Sequence, residues 1–274
     1  MERGYGMRYK LIAMDLDGTL NNDLKAIDPP TLAALMEAQR RGMRLLLASA
    51  RPLPGLYRDR DALQLADHGG LLMAYNGGMI ADAATGAVLS ATRMPVEAAR
   101  DVLRLLEALP VTPILDDGAR IYVTDRHGYN VENECRINRM ACAEVPNLAD
   151  FLRFAPCKIL MSTDPDGIRG VQAQIAAALP GGLTVVQTAP FYLEVIPATV
   201  NKGLGLRAAC AAVGLSPEEA IAFGDSENDI EMLKAAGMGV AMGNADDAVK
   251  AAADRVTLSN NDNGIAAALA ELLD

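Results

Sequence analysis

The sequence predicts an α/β protein with a doubly wound, Rossmann-like parallel-sheet core and an inserted α+β domain. Three observations predict it. Short apolar runs lead into polar residues: "KLIAM" into Asp15, "RLLLA" into Ser49 and "AIAF" into Gly224-Asp225. Such runs suit strands buried on both faces of a parallel sheet. Helical patterns separate strands at βαβ spacing, and a long middle stretch breaks that rhythm.

The elements follow in order. After "KLIAM", the stretch "DPPTLAALMEAQRRG" predicts a helix, with Asp28 as its cap, prolines in its first turn and Gly42 at its end. "RLLLA" then completes a βαβ unit. In the middle, "PVEAARDVLRLLEAL" predicts a helix with Val102, Leu103, Leu106 and Leu109 on its apolar face. "PILDDGARIYVTD" predicts a hairpin turning near Asp117-Gly118. "CKILMST" predicts a strand and "DGIRGVQAQIAAAL" a helix. "GLTVVQT" and "FYLEVI" predict two more strands, with Phe191, Leu193 and Val195 sharing a face. The core pattern resumes with "AIAF", the helix "NDIEMLKAAG", the strand "GVAM" and the helix "ADDAVKAAA". The expected division is a core of residues 1–82 and 191–274 and an inserted domain of residues 83–190.

Composition narrows the function. The 274 residues are 51% hydrophobic, enough for a sizeable core. A net charge of −10 argues against non-specific binding to nucleic acid or anionic membrane. No run approaches the roughly 18 apolar residues of a membrane span. "MERGYGMRYK" lacks the apolar centre of a signal peptide, and residues 1–6 read as a tag remnant or as residues before an alternative start at Met7. Cys135, Cys142, Cys157 and Cys210 show no CxxC or zinc spacing, as expected for scattered, reduced thiols in a cytoplasmic protein. His68 and His127 each stand alone, which disfavours a histidine triad or a histidine-rich metal site.

Four polar clusters carry the chemistry. In an extended segment Asp15 and Asp17 face one side, with Leu16 turned inward and Gly18 allowing a sharp turn. Two carboxylates ionised about 4 Å apart repel by about 4 kcal/mol at an effective dielectric near 20, which calls for a cation or a proton. Asp225 ends another strand, and Asn228 and Asp229 open the next helix, where either also suits a cap. Two acidic clusters at strand carboxyl ends in one sheet can meet, and all-oxygen ligation suits Mg²⁺. Ser49, with nearby backbone N–H groups, can hold phosphate oxygens. Lys202 would supply the positive charge such a site needs.

Asp15-Leu16-Asp17-Gly18-Thr19, Ser49, Lys202 and Gly224-Asp225-x-x-Asn228-Asp229 stand in the order of the four motifs of the haloacid dehalogenase superfamily. From Met7 onward the chain resembles its Cof-type sugar-phosphatase-like branch. "YNGGMI" resembles that branch's Asn-Gly-Ala segment at the cap entry, and "GVAMGNADDAVKAAADRVT" and "NDNGIAAALAEL" resemble its C-terminal signature. Three departures stand out: Ser49 replaces a usual threonine and keeps its hydroxyl, Ala50 replaces a usual glycine, and Asn201 replaces a frequent serine.

The resemblance implies a Mg²⁺-dependent phosphatase acting on a small phosphorylated metabolite. The residues alone leave open which aspartate attacks; the resemblance assigns Asp15 as nucleophile, forming an aspartyl-phosphate, and Asp17 as general acid and base. Asp15, the backbone carbonyl of Asp17 and Asp225 would hold Mg²⁺, with Asp229 supporting its waters. Ser49 and Lys202 would hold phosphoryl oxygens, with Asn228 adding a hydrogen bond. Arg51, Asn76, Gly77 and Gly78 are weaker candidates at the substrate or cap entry. A phosphomutase or other phosphotransferase on the same scaffold, or a phosphate-ligand sensor without turnover, are the alternatives.

Overall fold

β1 (Leu11–Asp15) is buried along its whole length. It pairs in parallel with β2 (Arg44–Ala48) on one side and with β12 (Ala220–Gly224) on the other. The structure, a computed structural model, describes residues 8–273. Residues 1–6, read above as a tag remnant or as preceding an alternative start, lie outside the described residues. The backbone falls into two compact units. One holds the residues up to 50, 56–90 and those from 201 onward; the other holds 51–55 and 91–200.

In the first unit the strands, numbered along the chain, run β14-β13-β12-β1-β2-β3-β4-β5. The remaining members are β3 (Leu71–Ala74), β4 (Met79–Asp82), β5 (Val88–Ala91), β13 (Met238–Ala241) and β14 (Arg255–Val256). Pairing is parallel from β14 through β3 and antiparallel between β3 and β4. The chain winds outward from β1 in one direction through β2 and in the other from β12 through β13. The order therefore reverses at the β1–β12 boundary, where open α/β sheets form their crevice.

Helices α1 (Pro29–Arg40), α2 (Tyr57–Ala62), α7 (Lys202–Ala212), α8 (Ile230–Ala235), α9 (Asp247–Ala252) and α10 (Gly264–Leu272) complete this unit. Pro29 and Pro30 open α1 and Gly42 closes it with φ +92, both as expected. Asp28 does not cap α1 through its side chain; it instead accepts a hydrogen bond from Asn22 Nδ2 at 2.8 Å. One core cluster joins Leu11, Leu46, Met73, Leu206, Phe223's neighbour Ala222 and Met232, drawn from sheet, α7 and α8. Each large side chain buried here contributes about 1.5–3 kcal/mol relative to exposure.

The second unit is a six-stranded sheet ordered β10-β11-β9-β6-β7-β8. Its strands are β6 (Thr112–Asp116), β7 (Arg120–Val123), β8 (Ala141–Glu144), β9 (Ile159–Ser162), β10 (Leu183–Ala189) and β11 (Tyr192–Pro197). Helices α3 (Val96–Leu106), α5 (Leu148–Phe151) and α6 (Ile168–Ala178) pack into the core on one face, with Leu115, Ile159, Met161 and Leu193. On the other face α4 (Val131–Asn138) supplies Val131 to a cluster with Ile114, Ile121, Leu160 and Tyr192. The β6–β7 hairpin turns at Gly118, φ +88, with Asp117 Oδ1 accepting from the N–H groups of Ala119 and Arg120.

Two expectations need adjustment. β11 pairs antiparallel with β9 and β10, so residues 191–200 belong with the second unit rather than the core. β5 lies beside β4, which puts 83–90 in the first unit. Apolar patterning identifies a strand without saying which sheet it joins. Phe191 precedes β11 and packs with the Tyr192 cluster, apart from Leu193 and Val195 on the opposite face.

Candidate active site

Asp15 is the last residue of β1, and parallel register puts Met14 beside Phe223 on β12 and Asp15 beside Ala48 on β2. Asp225 follows β12 by one residue and Ser49 follows β2 by one. Three adjacent strands thus deliver three of the expected residues to one end of the sheet.

Lys202 is the first residue of α7 and is fully buried. Its Nζ lies 2.5 Å from Asp15 Oδ1 and 2.6 Å from Asp229 Oδ1. The Asn201 side chain caps α7 by accepting from the N–H of Leu204 at 2.8 Å. Asparagine caps as well as the serine it replaces, so this departure keeps the helix start that aims Lys202. Ala50 is not among the residues with positive φ, so its backbone makes no demand for glycine.

Asp229 is fully engaged. Its Oδ2 accepts from the N–H groups of Asp225 and Ser226, both at 3.0 Å, while Oδ1 meets Lys202. The expectation that it could simply cap the next helix is half met, because it caps a one-turn 3₁₀ segment and carries the Lys202 contact as well. Thr19 Oγ1 donates to Asp225 Oδ1 at 2.6 Å, and Gly18, φ +88, leaves no room for a side chain beside Asp225.

Asp15 and Asp17 do not share one environment. β1 ends at Asp15, and strand alternation ends with it. The Asp15 side chain is 11% exposed and faces Lys202; that of Asp17 is 38% exposed, with Oδ1 2.9 Å from Lys25 Nζ. Each carboxylate of the pair has its own ammonium, and their mutual repulsion is relieved from two sides. Sequence reasoning missed Lys25, which sits at φ +59 in a turn built on Asn22 Oδ1. It also missed Asn244, whose Nδ2 donates to the carbonyl of Gly18 at 2.8 Å. Neither carried a local signal.

The weaker candidates divide. Tyr75, Asn76 and Gly77 have successive positive φ values of 53°, 56° and 95°. Asn76 donates its backbone N–H to the carbonyl of Ser49 at 2.9 Å, and its Oδ1 accepts from Asn228 Nδ2 at 3.0 Å. Gly77 lies so close to the carbonyl of Asn201 that a Cβ would collide with it. This left-handed stretch ties the ends of β2, β12 and the start of α7 together; Gly78 only closes its turn, donating to the carbonyl of Tyr75. Arg51 belongs with the second unit.

Carboxylate oxygens of Asp15, Asp225 and Asp229 all lie within 4.8 Å of one another. Burial pushes the Asp15 carboxyl up to about 8, although Lys202 draws it back, and burial also raises Asp225. Burial pulls Lys202 down, but Asp15 and Asp229 outweigh it and hold the ammonium above its ordinary value. One ammonium sits among three acidic groups, two of them pushed up by burial, so a bound cation can take the place of protons there. Its donors are all oxygen, and the donor set fits a hard divalent ion.

A doubly wound sheet with an acidic, lysine-bearing cluster at its switch point defines the class: an α/β enzyme working at strand carboxyl ends. The family model for haloacid dehalogenase-like hydrolases matches residues 12–269. The chain is 30% identical to the pyridoxal phosphate phosphatase YbhA of Escherichia coli strain K12, covering 95% of this chain and 97% of that one. It is 30% identical to the 5-amino-6-(5-phospho-D-ribitylamino)uracil phosphatase YcsE of Bacillus subtilis strain 168, covering 95% and 94%. A haloacid dehalogenase-like hydrolase from Bacteroides thetaiotaomicron superposes with a TM-score of 0.90 at 34% identity, covering 96% and 99%. The chain belongs to the haloacid dehalogenase-like hydrolases, and it is a phosphatase. No described helix is long and apolar enough to cross a membrane.

Proposed function

We propose that the protein is a Mg²⁺-dependent phosphatase that hydrolyses a small phosphorylated metabolite through an aspartyl-phosphate on Asp15. The observation that carries this reading is the buried Asp15–Lys202–Asp229 cluster beside Asp225. Bound Mg²⁺ would lower the repulsion between phosphate and carboxylate, with Asp15, the backbone carbonyl of Asp17 and Asp225 as the residues to hold it. Asp15 attacks phosphorus as the alkoxide departs. Lys202 fixes the Asp15 carboxylate by one oxygen and offers charge to the phosphoryl group. Ser49, with its hydroxyl at the end of β2, and Asn228 hold further phosphoryl oxygens. Asp229 holds Lys202 and the Asp225 backbone in place.

Asp17 is the proton carrier. It protonates the leaving oxygen, then takes a proton from the water that attacks the acyl-phosphate. Its greater exposure suits a group that must exchange a proton with the surroundings. Asp17→Asn is expected to slow alkyl phosphates by at least tenfold more than aryl phosphates, about 1.4 kcal/mol of extra barrier, because good leaving groups need less protonation. Steady-state rates on a matched alkyl and aryl pair check this, and equal losses would remove Asp17 from the acid role.

The second unit is proposed to be the cap that reads the leaving group. Relatives named for pyridoxal phosphate and for a phosphoribitylamino-uracil point to phosphorylated small metabolites as substrates. The deciding experiment is a panel of such compounds and sugar phosphates, with Mg²⁺ and with EDTA, reading inorganic phosphate. Release from at least one compound, suppressed by EDTA and restored by Mg²⁺, is the expected result. Release that EDTA leaves unchanged would overturn the metal role, and isomerised sugar phosphate without phosphate release would overturn hydrolysis.

A further inference from the structure

Two stretches near the end of the chain, "GVAMGN" and "NNDNG", take no part in the chemistry proposed above, yet both reach the turn that carries Asp17. The base of that turn is closed by its own backbone. The N–H groups of Leu20 and Asn21 donate to the carbonyls of Asp15 at 3.2 Å and Leu16 at 2.8 Å. The tip, Asp17-Gly18-Thr19, is held from outside. Thr19 bonds to Asp225, and Asn244 donates from Nδ2 to the carbonyl of Gly18 at 2.8 Å.

Asn244 is itself anchored. Its Oδ1 accepts from the backbone N–H of Asn260 at 3.0 Å. Asn260, which is buried, returns its side chain to the turn, where Nδ2 donates to the carbonyl of Asn21 at 3.1 Å. The side chain of Asn21 is fixed between Arg58 and Asp59. These contacts form a ring from Gly18 through Asn244 and Asn260 to Asn21. Its outer half is stiff: the N–H of Gly243 donates to the carbonyl of Leu258 at 2.9 Å, and a Cβ on Gly243 would meet the Ser259 nitrogen at 2.8 Å. Asparagines in loops usually bond to backbone a few residues away. The bonds to Gly18 and Asn21 span 226 and 239 positions, so what they fix is the Asp17 turn and not their own loops.

We infer, on the proton-carrying role proposed for Asp17, that Asn244 and Asn260 are positioning residues that clip the turn and hold Asp17 where it meets the leaving oxygen. Gly18 follows Asp17 at φ +88 and has no side chain to fix its peptide planes. The Asn244 amide supplies that constraint through the Gly18 carbonyl. Asn260 supplies it at Asn21, whose backbone forms an isolated β-bridge with Asp17. Each asparagine acts through the turn. A displacement of about 1 Å at a catalytic group can cost on the order of 100-fold in rate, so a loosened turn is expected to show in the step that needs the proton.

The test compares Asn244→Ala, which removes the donor to Gly18, with Asn260→Ala, which removes the bond to Asn21 but keeps the backbone N–H facing Asn244. Both are made in the full chain. Without Mg²⁺ or substrate, backbone order parameters at Gly18 and Thr19 should fall from about 0.85 toward about 0.6 in each variant, while β1 stays near 0.85. With Mg²⁺, kcat on the alkyl phosphate should fall roughly tenfold or more, and at least about threefold further than on its aryl partner, with KM within about twofold. The double variant should lose little more than the worse single variant, since both act on one turn. A general loosening of the fold would cut the active fraction and lower both substrates alike. Rigid Gly18 and Thr19 in both variants would overturn the inference. So would equal losses on the two substrates where Asp17→Asn shows the contrast, or losses that multiply in the double variant. If Asp17→Asn shows no contrast, the proton-carrying role is what fails, and the order parameters alone decide the clip: loosening confined to the turn supports it, and unchanged values overturn it.

Discussion

Asp15→Asn will abolish Mg²⁺-dependent hydrolysis of a generic aryl phosphate, with a loss on the order of 10⁴-fold or more, as expected when a nucleophile is removed. Asparagine keeps the shape of the side chain but cannot form the acyl-phosphate. The fold should survive, because Lys202 keeps its 2.6 Å contact with Asp229 and the site loses one of three mutually repelling carboxylates. Melting temperatures within about 5 °C of each other would show that, since roughly 1 kcal/mol moves a domain of this size by a few degrees. Asp15 is also proposed to hold Mg²⁺, so the rate is measured over a wide Mg²⁺ range. Recovery at high Mg²⁺ would mean that the variant lost a ligand rather than the nucleophile, and near-normal turnover would remove Asp15 from the attack.

Much of this site was legible because its parts are local. Apolar runs ending in Asp15, Ser49 and Gly224-Asp225 state strand ends directly, and parallel register then brings those ends together. The burial of Lys202 was not legible. A lysine opening a helix is ordinarily solvated, and only the approach of β1 and the Asp229 turn encloses it. The split between Asp15 and Asp17 was hidden for a related reason. Alternation applies only while the strand lasts, and the turn that carries Lys25 to Asp17 is fixed by Asn22, not by the motif. The left-handed Tyr75-Asn76-Gly77 stretch was half visible. Asparagine and glycine favour positive φ, but tyrosine does not, and its strain of about 1–3 kcal/mol persists only under tertiary constraint.

Lys202→Met will destabilise the first unit by roughly 3–5 kcal/mol, the cost of leaving buried charge uncompensated. Methionine fills the space of the lysine stem, which keeps the loss from being a cavity effect. What goes missing is the ammonium between Asp15 and Asp229, both buried. The pH dependence separates charge from packing. Burial already raises Asp15 from 3.8 to about 8, so between those values the folded chain binds more protons than the unfolded one. Stability carried by this group therefore falls as pH rises through that window. Lys202 opposes the upward shift, and without it the carboxyl rises further. In EDTA the deficit of the variant should be constant between pH 5 and pH 8, where Asp15 carries its proton in both folded proteins, and widen above pH 8, where only the wild type can ionise Asp15 beside Lys202. Denaturation midpoints from pH 5 to about pH 10 measure it. A deficit that stays flat above pH 8 would assign Lys202 a packing role instead, and full stability at pH 8 would show that the three acidic groups hold their positions without it.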